Sequence, residues 1–497
     1  QDHSMHYKLV EEILIHNGIV KAELSELSSE ELVDALLNKP VNVDGFASQK
    51  DVLNETLLNV KQLSTIQALN GEEGCNRYII SNSEDIFSVL FVMGLFRWSG
   101  YDLNAINFDI VPLFETMKGM ADSREVMQTL FDIPAYRAHV NRRSETQTIM
   151  LGFSDGTKDG GYLMANWGIY KAKELLTEMS RKYDITAIFF DGRGGPPARG
   201  GGKTHQFYAS LGPTIEDKEV QLTIQGQTIS SNFGTLDSSQ YNLEQLISSG
   251  MFNRIGKDKL ALSEADRIVL NDLAETSYVA YKDFKNHPMF IPYLERMSTL
   301  KYYAKTNIGS RPSKRSNSDT LIFSDLRAIP FVGSWSQLKQ NVPGFYGVGT
   351  ALKAYDDRGE FYKVEALYKN SKFFKTLLEN SMMSLTKSFF DLTQYMSKDE
   401  EFGAFWNIIY EEYLNSKNLL LKLTGYQTLM ENEPSGKASI DVRESIVLPL
   451  LTIQQYALKK IQELEKQDIK DDEQIKIFEK IVTRSLFGNI NASRNSA

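Results

Sequence analysis

Two acidic residues and two arginines stand in an order that suits an anionic substrate held beside a metal ion. Glu115 ends the run INFDIVPLFE, Asp155 ends QTIMLGFSD, and Arg193 and Arg199 lie in FFDGRGGPPARGGG, residues 189–202. Glycine adopts backbone conformations closed to other residues and lets N–H groups approach a ligand. A guanidinium offers a planar fork of donors to carboxylate or phosphate oxygens. The run therefore reads as an oxyanion or phosphate cradle, or else as a surface loop with two solvated arginines. Glu115 and Asp155 could share a hard divalent cation such as Mg2+, which takes one or two protein carboxylates and leaves its other positions to water and substrate. The same pair could serve acid-base chemistry, or cap helices. Lys158, just after Asp155, adds an anion contact or a plain salt bridge.

A second basic cluster, Arg311, Lys314, Arg315 and Arg327, is interleaved with serine and asparagine. This is the composition of a polar loop that could close over an anionic site, or of a solvated basic loop. None of the six histidines has a metal-ligand spacing, and His205, close to the Gly-Arg run, reads as a helix-start or packing residue. There is no Walker A loop and no dinucleotide fingerprint after a strand.

The elements that must position these residues alternate in the first half of the chain. CNRYIIS (75–81), INFDIVPLFE, QTIMLGFSD, ITAIFFD and EVQLTIQG read as strands, with helical patterns in EDIFSVLFVMGLFRWSG, past Met127, and in YLMANWGIYKAKELLTEMSRKY. Ser81, Glu115, Asp155 and the Arg193 loop then fall at the carboxyl ends of successive strands, where a (β/α)8 barrel gathers its catalytic groups. A doubly wound open sheet also places ligands at strand ends. The recurrence on four consecutive strands favours the barrel. From about Leu243 helical patterns dominate, so the expected organisation is an α/β protein. Residues 1–240 supply barrel units with the metal and substrate motifs, and residues 241–497 supply the remaining units and a large helical addition, in one continuous domain. No repeat of the solenoid kind is present. QELEKQDIKDDEQIK reads as a solvated helix end and turn.

Composition bounds the partners. With 497 residues, 42% hydrophobic and 24% charged, the chain is an ordinary globular one. Its net charge of −9 argues against broad nucleic-acid binding, leaving the basic clusters as local sites for small anions. A single cysteine, Cys75, excludes an internal disulfide framework and fits the cytoplasm. No apolar run approaches the roughly 18 residues of a membrane span. The chain opens at Gln1 without methionine, which leads us to expect a fragment of a longer protein.

PLFET (112–116), GFSDGTKDGG (152–161), GRGGPPARGGG (192–202), NIGSRPSKR (307–315), LRAIP (326–330) and the terminal RNSA together resemble phosphoenolpyruvate carboxylase in order and spacing. The likeness spans nearly the whole chain and covers the C-terminal part of that family's length. It implies a (β/α)8 barrel with many extra helices, usually as a homotetramer. It also implies a Mg2+- or Mn2+-dependent carboxylation of phosphoenolpyruvate by bicarbonate, supplying oxaloacetate to the tricarboxylic acid cycle. By motif, Glu115 and Asp155 would be the metal ligands. Arg193, Arg199, Arg311 and Arg327 would hold substrate, with Lys158 beside them. A dicarboxylate inhibitor, aspartate or malate, would be held by Lys387, Arg199, Arg443 and Asn495.

Several positions depart from the family pattern. Asp191 stands where the family usually has histidine, and Gln225-Gly226-Gln227 replaces QGE. The basic loop lacks the family's glycine pair, and the N-terminal histidine of the TAHPTE type is not among these residues, which implies a weak or inactive fragment. Two other readings stay open: another barrel enzyme acting on phosphoenolpyruvate or a related enolate, and a non-catalytic relative that senses dicarboxylates.

Overall fold

The computed structural model describes residues 2–255, 261–303, 321–323, 326–466 and 472–493. Two compact units share the chain. The first takes Gln1–Gly152, Gly168–Gly192 and Thr214–Leu222, the second Phe153–Trp167, Arg193–Pro213 and Thr223–Ala497.

The first unit is built on a five-stranded sheet: β1 Arg77–Ile80, β2 Asp109–Phe114, β3 Thr146–Gly152, β4 Thr186–Gly192 and β5 Val220–Leu222. All neighbours are parallel and the strands follow chain order. Parallel strands need crossover segments, and their faces are covered, so the strands carry apolar residues on both sides: Ile110, Val111, Leu113 and Phe114 in β2 are all buried. The order contains no reversal of the kind that creates the ligand crevice of a doubly wound sheet. The described residues thus hold an α/β fold with five parallel strands.

Local chemistry fixes the crossovers. Asp85 caps the helix Ile86–Trp98 by accepting from the N–H groups of Phe87 and Ser88, and that helix is apolar on nearly every face because nearly all of it is buried. Thr116, next to Glu115, caps Met117–Asp132 through the Gly119 N–H at 2.9 Å. Three helices precede the sheet, His3–His16, Ser29–Leu37 and Asp51–Asn70. The first is tied to β1 by a buried contact of 3.0 Å between His6 Nε2 and the Tyr78 hydroxyl.

Two strand boundaries differ from the sequence expectation. β3 stops at Gly152 and the chain turns at once into a helix, Phe153–Gly160, so Asp155 lies in a first helical turn and not at a strand end. EVQLTIQG yields only the three residues of β5. β5 is exposed or half-buried throughout, so little packing is there to extend it.

The second unit is helical in nearly all its described length. Its main core gathers Phe284, Phe290, Tyr293, Trp335 and Phe405, with the Phe284 and Tyr346 rings stacked at 4.0 Å. Truncating a buried aromatic such as Trp335 to alanine costs about 3–5 kcal/mol in such settings. A satellite core joins the helices Pro434–Lys466 and Asp472–Ser493 through Leu458, Ile461, Val482 and Leu486. Glu412, buried, accepts from the backbone N–H groups of Gly347 and Gly349 and from the Thr350 hydroxyl at 2.9, 2.8 and 2.6 Å. It thereby closes the N-terminus of the helix Val348–Asp357, and burial pushes its carboxyl above the ordinary value despite those bonds.

Candidate active site

Glu115 follows β2 directly and belongs to the first unit. It is 8% exposed. The backbone of β3 passes so close that a Cβ on Gly152 would lie 2.5 Å from the Glu115 Cβ. Only glycine admits that approach, so the last residue of β3 and the carboxylate after β2 are specified together.

The other candidate groups cluster within the second unit. Arg199 is 5% exposed and donates through Nε to Ser154 Oγ at 3.2 Å and through Nη2 to Gln225 Oε1 at 2.5 Å. Burial pulls its guanidinium down to about 10, and the neighbouring Asp155 carboxylate opposes that shift; the group remains a cation at neutral pH. One arginine thus ties together the FSDGTKD segment, the glycine run and the QGQ segment. Arg193, 4% exposed, donates through Nε to the Gly200 carbonyl at 2.5 Å, and its guanidinium lies 4.2 Å from the centroid of the Phe207 ring. The run is a tight hairpin of chain, not an open surface loop. A Cβ at Gly201 would stand 1.8 Å from the Gly195 carbonyl oxygen, and Pro197–Arg199 form a 3-10 turn. The solvated-loop reading of the two arginines is therefore corrected.

Lys158 is buried and donates from Nζ to the Leu326 carbonyl at 2.6 Å, above the Phe323 ring at 5.0 Å. The Tyr281 hydroxyl in turn donates to the Lys158 carbonyl at 2.8 Å. This lysine fixes the residue before Arg327, which itself stands at the N-terminus of the helix Ala328–Gln337. Arg311, Lys314, Arg315 and Asn495 lie outside the described residues.

Lys387 and Arg443 come together in the second unit, lining one cavity with Lys339, Glu444 and Asn489. Burial lowers the Lys387 ammonium to about 8, with repulsion from Lys339 and Arg443 adding to it and Glu444 opposing. Lys339 pairs with Glu444 Oε1 at 2.6 Å. Glu444 Oε2 and Asn489 Oδ1 are buried without a hydrogen-bond partner among the described residues. Arg199, expected beside these groups, does not line that cavity.

Sequence reasoning missed Lys339, Glu444 and Asn489, which belong to no motif and meet only where two long helices pack against the turn after Gln337. It also missed Lys173. That side chain reaches from the helix Tyr162–Lys182 to Asp191 on β4, Nζ to Oδ2 2.8 Å, in a pair with almost no exposure on either side.

Each of the two carboxylates, Glu115 in the first unit and Asp155 in the second, is by itself a hard oxygen donor of the kind Mg2+ takes. Glu115 and Asp155 are oxygen donors, and among the described residues no three His, Cys, Asp or Glu side chains gather as a closed metal cage. Mg2+ needs none, because it keeps water and substrate oxygens in its shell. Buried guanidinium groups beside a carboxylate, on a run where backbone approaches backbone, suit a ligand bearing both phosphate and carboxylate. The family model for phosphoenolpyruvate carboxylase matches residues 1–492. The chain belongs to the phosphoenolpyruvate carboxylase family.

Proposed function

We propose that the protein carboxylates phosphoenolpyruvate with bicarbonate to give oxaloacetate and inorganic phosphate, as a divalent-metal-dependent carboxy-lyase. The observation that carries this reading is the cluster around Arg199, in which Ser154, Asp155 and Gln225 converge on one buried guanidinium. Bicarbonate attacks phosphorus, giving carboxyphosphate and the enolate of pyruvate. Carboxyphosphate releases CO2, and the enolate carbon attacks it. Arg193 and Arg199 stabilise charge spreading over the phosphoryl oxygens, and Arg327 and Arg311 steady the phosphoryl and bicarbonate groups. Lys158 positions Arg327 through the Leu326 carbonyl. Glu115 and Asp155 would hold Mg2+ or Mn2+, which when bound supplies positive charge to substrate oxygens. The buried setting of the arginines excludes water that would protonate the enolate to pyruvate.

The five strands are read as the first part of a (β/α)8 barrel, with barrel units and motifs in residues 1–240 and the remainder with the helical addition in 241–497. The cavity of Lys387 and Arg443 is read as the site of a dicarboxylate inhibitor, aspartate or malate; Asn495, which the resemblance adds to it, lies outside the described residues. A cytoplasmic homotetramer is the expected setting.

The test is a coupled assay with phosphoenolpyruvate, bicarbonate and Mg2+ on the longest form of the gene product, following oxaloacetate through its reduction to malate. Bicarbonate-dependent turnover that disappears in Asp155→Ala supports the proposal. A folded protein that binds aspartate without producing oxaloacetate would sink it in favour of a dicarboxylate sensor.

A further inference from the structure

Lys173 stands outside every motif, yet its environment is the most demanding of any lysine in the first unit. Its ammonium and the Asp191 carboxylate are 2.8 Å apart, with side-chain exposures of 2% and 0%. The ammonium also lies 5.3 Å from the centroid of the Phe189 ring, two residues back on the same strand. Such a pair is costly to place in a core, where apolar residues of similar volume serve stability as well or better. A buried pair of this kind is therefore weak evidence of a role in stability.

Its location points to a role in positioning. Asp191 is the penultimate residue of β4, in register with Leu151 on β3 and Leu222 on β5. Gly192 ends the strand and Arg193 follows at once. The ion pair holds the strand end by a side chain and the ladder to β3 and β5 holds it by its backbone, two residues before Arg193. A strand end free to rotate by a few degrees would carry the first arginine off its line, and misplacement of about 1 Å costs on the order of 100-fold in rate.

We propose that Lys173 is a positioning residue of the reaction: with Asp191 it forms a buried ion pair that holds the end of β4, two residues before Arg193, the first arginine of the run that meets the anionic substrate. Asp191 is then an anchor and not a carrier of protons. The inference rests on the reading that Arg193 meets phosphoenolpyruvate.

The deciding variant is Lys173→Met combined with Asp191→Leu in the full chain, which replaces both members of the pair with apolar side chains of similar size. Thermal midpoint, the calorimetric dissociation constant for phosphoenolpyruvate in Mg2+, and KM and kcat would be measured together. The expected result is a midpoint equal to or above that of the unaltered protein with phosphoenolpyruvate affinity at least tenfold weaker. Affinity and KM within twofold of the unaltered protein overturn the proposal, because a merely structural pair predicts that outcome. Should the double variant fail to fold, Asp191→Asn is judged by the same two thresholds. An unaltered protein that binds phosphoenolpyruvate without turning it over fails the functional reading and leaves the affinity comparison to decide this one. If it does not bind phosphoenolpyruvate at all, both fall.

Discussion

Gly152 and Glu115 exclude a methyl group between them: a Cβ on the first would lie 2.5 Å from the Cβ and 3.0 Å from the Cα of the second. The end of β3 is thereby a wall against which the carboxylate residue after β2 is seated. Gly152→Ala should displace the backbone at Glu115 and with it the ends of β2 and β3. A fall of about 100-fold in kcat/KM is expected, together with a Mg2+ requirement raised on the order of tenfold or more. Metal titration of oxaloacetate formation checks both, and an unchanged Mg2+ requirement would detach Glu115 from the metal.

Arg193→Lys keeps the charge and loses the geometry. Lysine has no planar face to lay on Phe207 and no Nε–H to give the Gly200 carbonyl. The variant should fold and lose about 100-fold in kcat/KM for phosphoenolpyruvate. Steady-state kinetics beside a thermal scan separates this from simple unfolding.

The cavity of Lys387 and Arg443 should discriminate between dicarboxylates. Glu444 Oε2 and Asn489 Oδ1 are buried acceptors without partners among the described residues, and an ammonium group satisfies them better than a hydroxyl does. Aspartate should therefore inhibit at lower concentration than malate, and Glu444→Gln should narrow the gap. Equal inhibition by both in the unaltered protein would refute this assignment.

Lys387 titrates at about 8 because burial and its cationic neighbours disfavour its charge. An anionic inhibitor needs that charge, so inhibition should weaken as pH rises through about 8. The sign for stability is opposite. The unfolded chain binds the proton more tightly, so the lysine's contribution to stability improves as pH climbs from about 8 towards its ordinary value. Inhibition curves at pH 7 and pH 9 read the first effect directly.

His6 and His139 are buried and lowered to about 3 and about 4, chiefly by loss of solvent. Each remains neutral in the folded unit at pH values where the unfolded chain would take up a proton. Stability is thus intact above the ordinary histidine value of 6.5 and declines as pH falls below it, by about 1.4 kcal/mol per pH unit for each histidine until its folded value is reached. Urea melts at pH 7 and pH 5 should differ accordingly, and His6→Gln should remove part of the slope.

The sheet was legible because β1 to β4 are short apolar runs bounded by polar and glycine residues, the pattern of strands buried on both faces. Asp155 was misplaced for a physical reason. GFSDGTKDGG has the composition of a turn, and the helix it forms is held by the burial of Phe153 and Lys158, which no local propensity reports. Arg193 and Arg199 could be picked out by type, since glycine beside arginine is a chemical signal in itself. Lys173 could not, because its partner lies on another element and its neighbours in sequence are those of any amphipathic helix. The cavity's Glu444 and Asn489 were hidden for the same reason, one on each of two long helices.

The bond from Lys158 to the Leu326 carbonyl spans 168 positions of sequence. Contacts of such separation carry a loop-closure cost and form late. A ribosome that has released the glycine run has therefore made the motif without the clamp that holds Arg327, and a nascent or prematurely terminated chain carries recognisable arginines in an unassembled site. Catalytic competence should arrive as one late event in synthesis and refolding, well after most helices have formed.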